Sequence, residues 1–487
     1  MSKKYEGEFI PFKTHMGPAT TAVDLTDGSE RGEYVDQDYI LRQLGRPHRC
    51  INLMYCYYPN DEGWPRRAHD AHAHDNLTDI WDYPYDDYFT YKGGIGGNLD
   101  DEPFNFMRDV RRHGQDVCLT LTMDPFLDEA HISAVCKDLA KFGRVQVRVN
   151  HEATGNWFSF NKRASYEQVA AYFVKVCEVF HKEAPNCKLI LCLDGCKNPN
   201  EEKMEMEDIF ADAARACDIV SVDRYMALHW GYPVDVCDFG GNTHQRSKVE
   251  DIYNMCKKSY ERYAVVNNGL YKPMVLSELN ADADVTGPYD QAAMFRKFAD
   301  MLEEDKDNWL NGFTMYMFRD RGRLGLEIQD PNNENVGIKQ PLMDTYREMI
   351  HEDFFSPKME EGEKVSFPAK LRWGSFEDSD GIAVPLTLEK TPVFFELFFN
   401  DGLEDANLMI EIGGEWFYKA PGVKCIDLAS AFFNKKIEKE TEMALRFFAP
   451  PTTGENDESQ GDDWQLNYYY ELPKLPEIRI VYEPIEK

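Results

Sequence analysis

The chain has 487 residues, 43% hydrophobic and 13% aromatic, enough to bury one large apolar core or two smaller ones. Its 54 Lys and Arg stand against 86 Asp and Glu, and a formal charge of -32 repels phosphate backbones and anionic lipid surfaces, so neither nucleic acid nor membrane is an expected partner. Neutral polymers such as polysaccharides meet no such repulsion, and 8 Trp, 26 Tyr and 30 Phe can supply the aromatic platforms that bind them.

Met1 to Lys13 carry basic side chains but no apolar stretch of signal-peptide length, and no later run approaches a membrane span, so a soluble chain is expected. Most of the 12 cysteines fall in apolar strand or helix patterns, among them Cys56, Cys118, Cys136, Cys177 and Cys192. Buried free thiols fit that placement better than a disulfide framework, which points to the cytoplasm, or to secretion if a leader was removed.

Along the chain, strand-like apolar runs alternate with helical patterns, the signature of a parallel sheet with crossover helices. The first strand falls at Phe9 to Phe12 or at Thr21 to Leu25. Seven more follow at Cys50 to Tyr57, Asp116 to Thr122, Arg144 to Asn150, Lys188 to Leu193, Ile219 to Asp223, Pro273 to Glu278 and Gly312 to Phe318. After the fourth strand, Tyr166, Val169, Ala170, Phe173, Cys177 and Phe180 recur on one helical face, behind Ser165 as N-cap with Gln168 three residues on. Eight such units within residues 1–357 predict an α/β fold, a (β/α)8 TIM barrel. From residue 358 to 487, short alternating segments such as Val393 to Phe399, Leu408 to Ile412 and Ile478 to Tyr482 lie between Gly, Asn and Asp turns, which predicts a C-terminal all-β sandwich domain.

Barrel enzymes place their chemistry at the C-terminal ends of the strands. The fourth strand ends Arg148-Val-Asn-His151-Glu152. Period two turns Val145, Val147 and Val149 toward the helices and Gln146, Arg148 and Asn150 inward, with Glu152 following them. An inward Arg is costly unless a carboxylate pairs with it. The seventh strand ends Ser277-Glu278, and alternation puts Glu278 on the face of Met274 and Leu276. Two carboxyl groups facing each other across a barrel mouth suit glycosidic bond cleavage, one protonating the leaving oxygen and one attacking or activating water. The sixth strand brings Tyr225 beside Glu278, where a phenol can hold the carboxylate ionised and aimed.

The run Arg148-Val-Asn-His151-Glu152-Ala-Thr-Gly155-Asn-Trp157-Phe158 resembles the acid/base segment of glycoside hydrolase family 26, R-x-x-H-E-x-x-G-x-W-F. Val275-Leu-Ser-Glu278 is similar to the nucleophile strand of clan A hydrolases, and Asp223-Arg-Tyr225 to that family's strand-six D-x-Y. The resemblance covers the barrel only. It implies a retaining clan A mechanism with Glu152 as general acid/base and Glu278 as nucleophile, acting on β-mannan, β-1,3-xylan or mixed-linkage β-glucan. Departures from the pattern are Thr154, Ser159 and an eighth strand without the Trp that floors the sugar subsite.

The expected substrate-binding residues are Arg148, His151 as a positioning hydrogen-bond partner, Trp157 as a platform, Tyr225, Asn280, and Tyr316 or Phe318 in place of the missing Trp. The substrate is expected to be a carbohydrate, with no cofactor and no metal. The long stretch from Pro59 to Pro103, with Trp64, Trp81, Tyr83, Tyr85, Tyr88, Phe89 and Tyr91, is expected to wall one side of the cleft, and Arg319, Asp320, Arg321 and Arg323 the other, where they would read an acidic or branched sugar. Two other readings stand beside this one. The first is a noncatalytic carbohydrate-binding barrel. The second is a metal-dependent hydrolase using His69, His72 and His74, whose place in a loop favours solvated histidines instead.

Overall fold

The computed structural model describes residues 9–30, 32–72, 88–229, 244–456 and 463–482. In chain order its first strands are β1 (Phe12–Gly17), β2 (Ala22–Thr26), β3 (Cys50–Tyr57), β4 (Asp116–Met123), β5 (Val145–Val149), β6 (Cys187–Cys192), β7 (Ile219–His229), β8 (His244–Arg246), β9 (Met274–Ala281) and β10 (Gly312–Met315). Strands β2 to β7, β9 and β10 pair in parallel, and β6 with β7 and β10 with β2 complete the ring, giving a closed eight-stranded barrel. Of the two places predicted for the first barrel strand, the later one joins the ring. The earlier overlaps β1, which pairs antiparallel with Lys358–Lys364 and Asp378–Leu388 outside the barrel.

The helices cover the barrel because each presents an apolar face to it. Helix Tyr166–Glu183 starts at Ser165, whose hydroxyl accepts the Gln168 amide while the Gln168 side chain accepts the Ser165 amide, the predicted capping box. Its Val169, Ala170, Phe173, Val176, Cys177 and Phe180 pack into one core with the outward Val145, Val147 and Val149 of β5. Each large apolar side chain so buried contributes roughly 1.5–3 kcal/mol.

Inside the barrel the pattern is reversed. Cys50, Cys118, Ile190 and Val275 form an apolar layer toward the bottom. Above it, Asn52 donates to Thr26 Oγ1 at 3.2 Å, Thr120 donates to Asn52 Oδ1 at 2.8 Å, and Arg148 Nε donates to Thr120 Oγ1 at 2.8 Å. This chain of bonds crosses from β2 to β5 and satisfies buried polar groups in sequence.

The C-terminal region is a sandwich. An eight-stranded antiparallel sheet, which includes β1, faces a three-stranded one. Leu371, Ile382, Val384 and Leu386 from the larger meet Phe395, Leu397, Ile478 and Ile480 from the smaller. Leu41 of the barrel packs with Trp373, Phe376, Trp416 and Phe448, and Arg347 binds both Glu415 oxygens at 2.7 Å. Gly114, at φ 76°, lies beneath Trp373, where a Cβ would stand 2.8 Å from the indole. Eleven cysteines among the described residues are free, and Cys425 is the exposed one. No described helix is long and apolar enough to cross a membrane.

Candidate active site

The C-terminal ends of β5, β7, β9 and β10 bring most of the predicted residues together. Arg148 is fully buried at the centre. Its Nη1 donates to both oxygens of Asp223, at 3.1 and 3.0 Å, and its Nη2 donates to Glu278 Oε1 at 2.8 Å. The inward Arg therefore has its carboxylates, but they come from β7 and β9 rather than from neighbouring Glu152. Tyr225 Oη donates to Glu278 Oε2 at 2.6 Å, so both oxygens of Glu278 are held, one from the adjacent β7 and the other from β5 across the barrel interior.

Glu278 reaches this position through an irregularity that strict alternation does not foresee. Met274 and Leu276 pack into the helix-facing core, so the expected shared face does not hold. Between the pairs Val222↔Leu276 and Asp223↔Glu278, β9 carries one extra residue. Ser277, hydrogen-bonded to Ser221 at 2.5 Å, takes up the inward place, and the bulge turns Glu278 into the mouth as well.

Beyond β5 the chain turns sharply. Asn150 and Glu152 have φ of 47° and 46°, a left-handed conformation that costs a non-glycine residue about 1–2 kcal/mol. Local bonds hold it. Asn150 Oδ1 accepts the Met123 amide at 2.6 Å, and the Glu152 carbonyl accepts the Gly155 amide at 2.7 Å. Thr154 Oγ1 accepts the Asp194 amide at 3.0 Å, tying this turn to the end of β6. Gly155 has no side chain because Trp157 lies against it, where a Cβ would stand 2.7 Å from Cε2. Trp157 itself is half-buried.

Desolvation, then the nearby Asp223, Glu278 and Asp194 charges, push the Glu152 carboxyl well above the usual carboxylate range, with Arg148 opposing. Burial and the Glu278 charge raise Asp223 to about 7, again against Arg148. His151 is buried, packed edge-on against Phe158 at 4.7 Å, and hydrogen-bonded through Nε2 to Tyr88 Oη at 3.3 Å. Burial and Arg148 hold it well below the ordinary histidine range, so it is neutral.

The remaining candidates divide. Tyr316 stands edge-on to Tyr225 with ring centroids 5.9 Å apart. Asn280 is fully buried, and its amide donates to the Tyr316 carbonyl at 2.8 Å and to the Leu324 carbonyl, bracing the chain that leaves β10. Phe318 lies apart, fully buried and edge-on to Tyr39. Arg319 is bonded to Glu327 at 2.9 and 3.1 Å, so the guanidinium proposed for an acidic sugar is already engaged.

From the long loop, Tyr88 meets His151, Trp64 Nε1 donates to the Ser159 carbonyl at 3.0 Å, and Tyr91 joins the core; Trp81, Tyr83 and Tyr85 lie outside the described residues. Among the metal candidates, His69 falls on helix Trp64–His72 and His74 lies outside the described residues. The metal-ligand grouping found among the described residues is elsewhere, at His229, Asp282 and Asp284. There Asp282 accepts the Asp284 amide at 2.8 Å and Asp284 accepts the Arg323 amide at 3.3 Å, so both carboxylates cap loop backbone.

Sequence reasoning gave no site role to three acidic residues of this region. Asp194, after β6, is bonded to Arg224 at 3.2 Å. Asp223 was noticed only as part of a motif. Glu30, in the loop after β2, accepts the Tyr316 hydroxyl at 2.6 Å. Loop acids carry no periodicity, so the sequence holds no signal for Asp194 or Glu30.

The fold and mouth define a closed (β/α)8 barrel with a carboxyl-rich C-terminal face and an appended β-sandwich. No family model and no curated protein matches the chain. Among solved structures it is similar to a family 26 β-mannanase from Bacteroides ovatus, at 12% identity over 69% of this chain and 89% of that one, TM-score 0.40. It is also similar to a family 51 α-L-arabinofuranosidase from Bifidobacterium longum, at 10% identity over 91% and 98%, TM-score 0.42. A third is a family 39 glycoside hydrolase from Bacteroides cellulosilyticus, at 11% identity over 88% and 81%, TM-score 0.43. At such identity these likenesses leave the chemistry to the side chains described above.

Proposed function

We propose that the protein is a glycoside hydrolase that cleaves β-linked glycans by double displacement. The observation that carries this reading is the unequal treatment of two carboxyl groups in one mouth. Glu278 is held by a guanidinium on one oxygen and a phenol on the other, as suits an aimed anionic nucleophile. Glu152 is desolvated among other acids, which favours its protonated form, as suits the group that protonates the leaving oxygen. Once a glycosyl ester forms on Glu278, Glu152 has become a carboxylate and takes the proton of the attacking water.

In this reading Arg148 positions Glu278, His151 supports the Glu152 turn, Trp157 and Tyr316 meet the sugar, and Asn280 fixes Tyr316. The family 26 resemblance in Arg148 to Phe158 makes β-mannan the first substrate to try. The test is a panel of mannan, xylan and mixed-linkage glucan with the wild type, Glu152→Gln and Glu278→Gln. Wild-type turnover lost by at least about a thousandfold in each folded variant supports the proposal. Turnover that survives either substitution removes that residue from the mechanism.

A further inference from the structure

We propose that Arg224 is a positioning residue for the general acid/base: it clamps the loop after β6, and that loop holds the left-handed turn that presents Glu152. This rests on the glycosidase reading above.

The turn lies past Val149, the last residue of β5, so strand pairing does not fix it. Its left-handed residues Asn150 and Glu152 persist only where the surroundings hold them. Two of the bonds that do so lead to the end of β6. The Ala153 amide donates to the Cys192 carbonyl at 3.0 Å, and Thr154 Oγ1 accepts the Asp194 amide at 3.0 Å. On the other side, Asn161 Nδ2 donates to the Ala153 and Gly155 carbonyls at 3.0 and 2.6 Å. The acid/base turn is thus held between Asn161 and the loop that begins at Leu193.

Arg224 fixes that loop. Its Nη1 donates to Asp194 Oδ1 at 3.2 Å and to the Asp223 carbonyl at 3.0 Å, and its Nη2 donates to the Asp194 carbonyl and, at 2.9 Å, to the Cys196 carbonyl. A planar fork that grips two carbonyls and a carboxylate of the segment Asp194-Gly195-Cys196 sets its path, which a point charge cannot do. The segment also packs closely. Gly195, at φ 72°, leaves no room for a side chain, since a Cβ there would stand 2.7 Å from Val222 Cγ1, and the Ser259 hydroxyl accepts the Cys196 amide at 2.9 Å. Lys197 Nζ lies 3.6 Å from the other Asp194 oxygen, so losing Arg224 releases the loop while the acid keeps a cation. One tripeptide of β7 therefore serves both carboxyl groups of the mouth. Asp223 and Tyr225 meet Arg148 and Glu278, and Arg224 between them secures the turn of Glu152.

The test compares the full-length wild type with Arg224→Met on two kinds of substrate. Hexasaccharides of β-linked mannose, glucose and xylose have a leaving sugar that needs the acid's proton, while dinitrophenyl β-glycosides of the matching disaccharides have a leaving group that needs none. A displaced Glu152 turn is expected to lower kcat/KM for the cleaved hexasaccharide about a hundredfold and for the dinitrophenyl glycoside by less than about threefold. Damage to the fold or to the nucleophile lowers both alike. Should Arg224→Met not fold, Thr154→Val, which keeps the side-chain shape and removes the acceptor for the Asp194 amide, must show the same selective loss. Hydrogen exchange read by mass spectrometry needs no turnover and separates the two claims. If the wild type cleaves neither kind of substrate, faster exchange from Asn150 to Phe158 in these variants, with Met274 to Ala281 unchanged, keeps the clamp while hydrolysis fails. Equal loss on both substrates, loss on neither, or exchange from Asn150 to Phe158 that no variant moves overturns the role of Arg224.

Discussion

Arg148 and Glu278 meet across the barrel interior, the Nη2 of the one 2.8 Å from the Oε1 of the other. The same guanidinium holds Asp223 and is itself held by Thr120, so one cation sets the position of two acids on different strands. Arg148→Met leaves both acids buried without it, and removing one partner of a buried pair costs about 3–5 kcal/mol. Thermal denaturation is expected to show that loss together with loss of turnover. Arg148→Lys keeps a charge but not the fork, so stability is expected to recover in part while kcat stays down by about a hundredfold. A fully active Lys variant contradicts the positioning role.

Tyr225 supplies the second bond to Glu278, and it touches the proposed nucleophile rather than the fold's core. Tyr225→Phe is expected to lower kcat about 10- to 100-fold with little change in KM and a melting temperature near that of the wild type. Steady-state kinetics beside a melting curve check this. A variant that loses only KM assigns Tyr225 to substrate binding instead.

The barrel was legible because its two periodicities are strong. The β5 valines pack outward as the pattern required, and the Ser165 capping box forms as read. Tyr225 was placed beside Glu278 because both strands run in parallel to the same end, and the bond forms. Two things were not legible. The bulge at Ser277 takes Glu278 off the face of Met274 and Leu276 and brings it into the mouth, and a period-two pattern cannot show one extra residue. Partners across the barrel are equally hidden: Arg148 sits four residues from Glu152 in sequence yet pairs with Asp223 and Glu278, because inward side chains choose neighbours by height in the barrel. Phe318 was counted as a platform from its strand alone, and it packs against Tyr39.

The raised Glu152 fixes the sign of a pH effect. A general acid works while protonated, so kcat/KM is expected to hold below the Glu152 pKa and fall as pH rises through it. That alkaline limb lies above the ordinary carboxylate range because burial and the neighbouring acids favour the neutral form. Asp223, at about 7, titrates nearby, so Asp223→Asn is expected to shift the limb to lower pH by removing one like charge. Glu152→Gln, assayed with an activated aryl glycoside that needs no acid help, is expected to lose the limb. A limb that persists in that variant belongs to another group.

The sandwich is joined to the barrel by packing and by strand exchange. Ending the chain after Pro357 strips β1 of both its neighbours, Lys358–Lys364 and Asp378–Leu388, and uncovers the patch around Leu41 and Gly114. The shortened protein is expected to aggregate or to melt well below the full chain, by light scattering and calorimetry. A soluble, equally stable fragment that has lost only polymer affinity gives the sandwich a binding role.

The central claim is that Glu278 attacks the sugar while Glu152 handles the proton. Proton NMR of the first product released from a β-linked oligosaccharide, recorded before mutarotation, tests it most directly. The account predicts that the β-anomer appears first, since two displacements restore the starting configuration. An α-anomer appearing first contradicts double displacement and makes Glu278 a base for water.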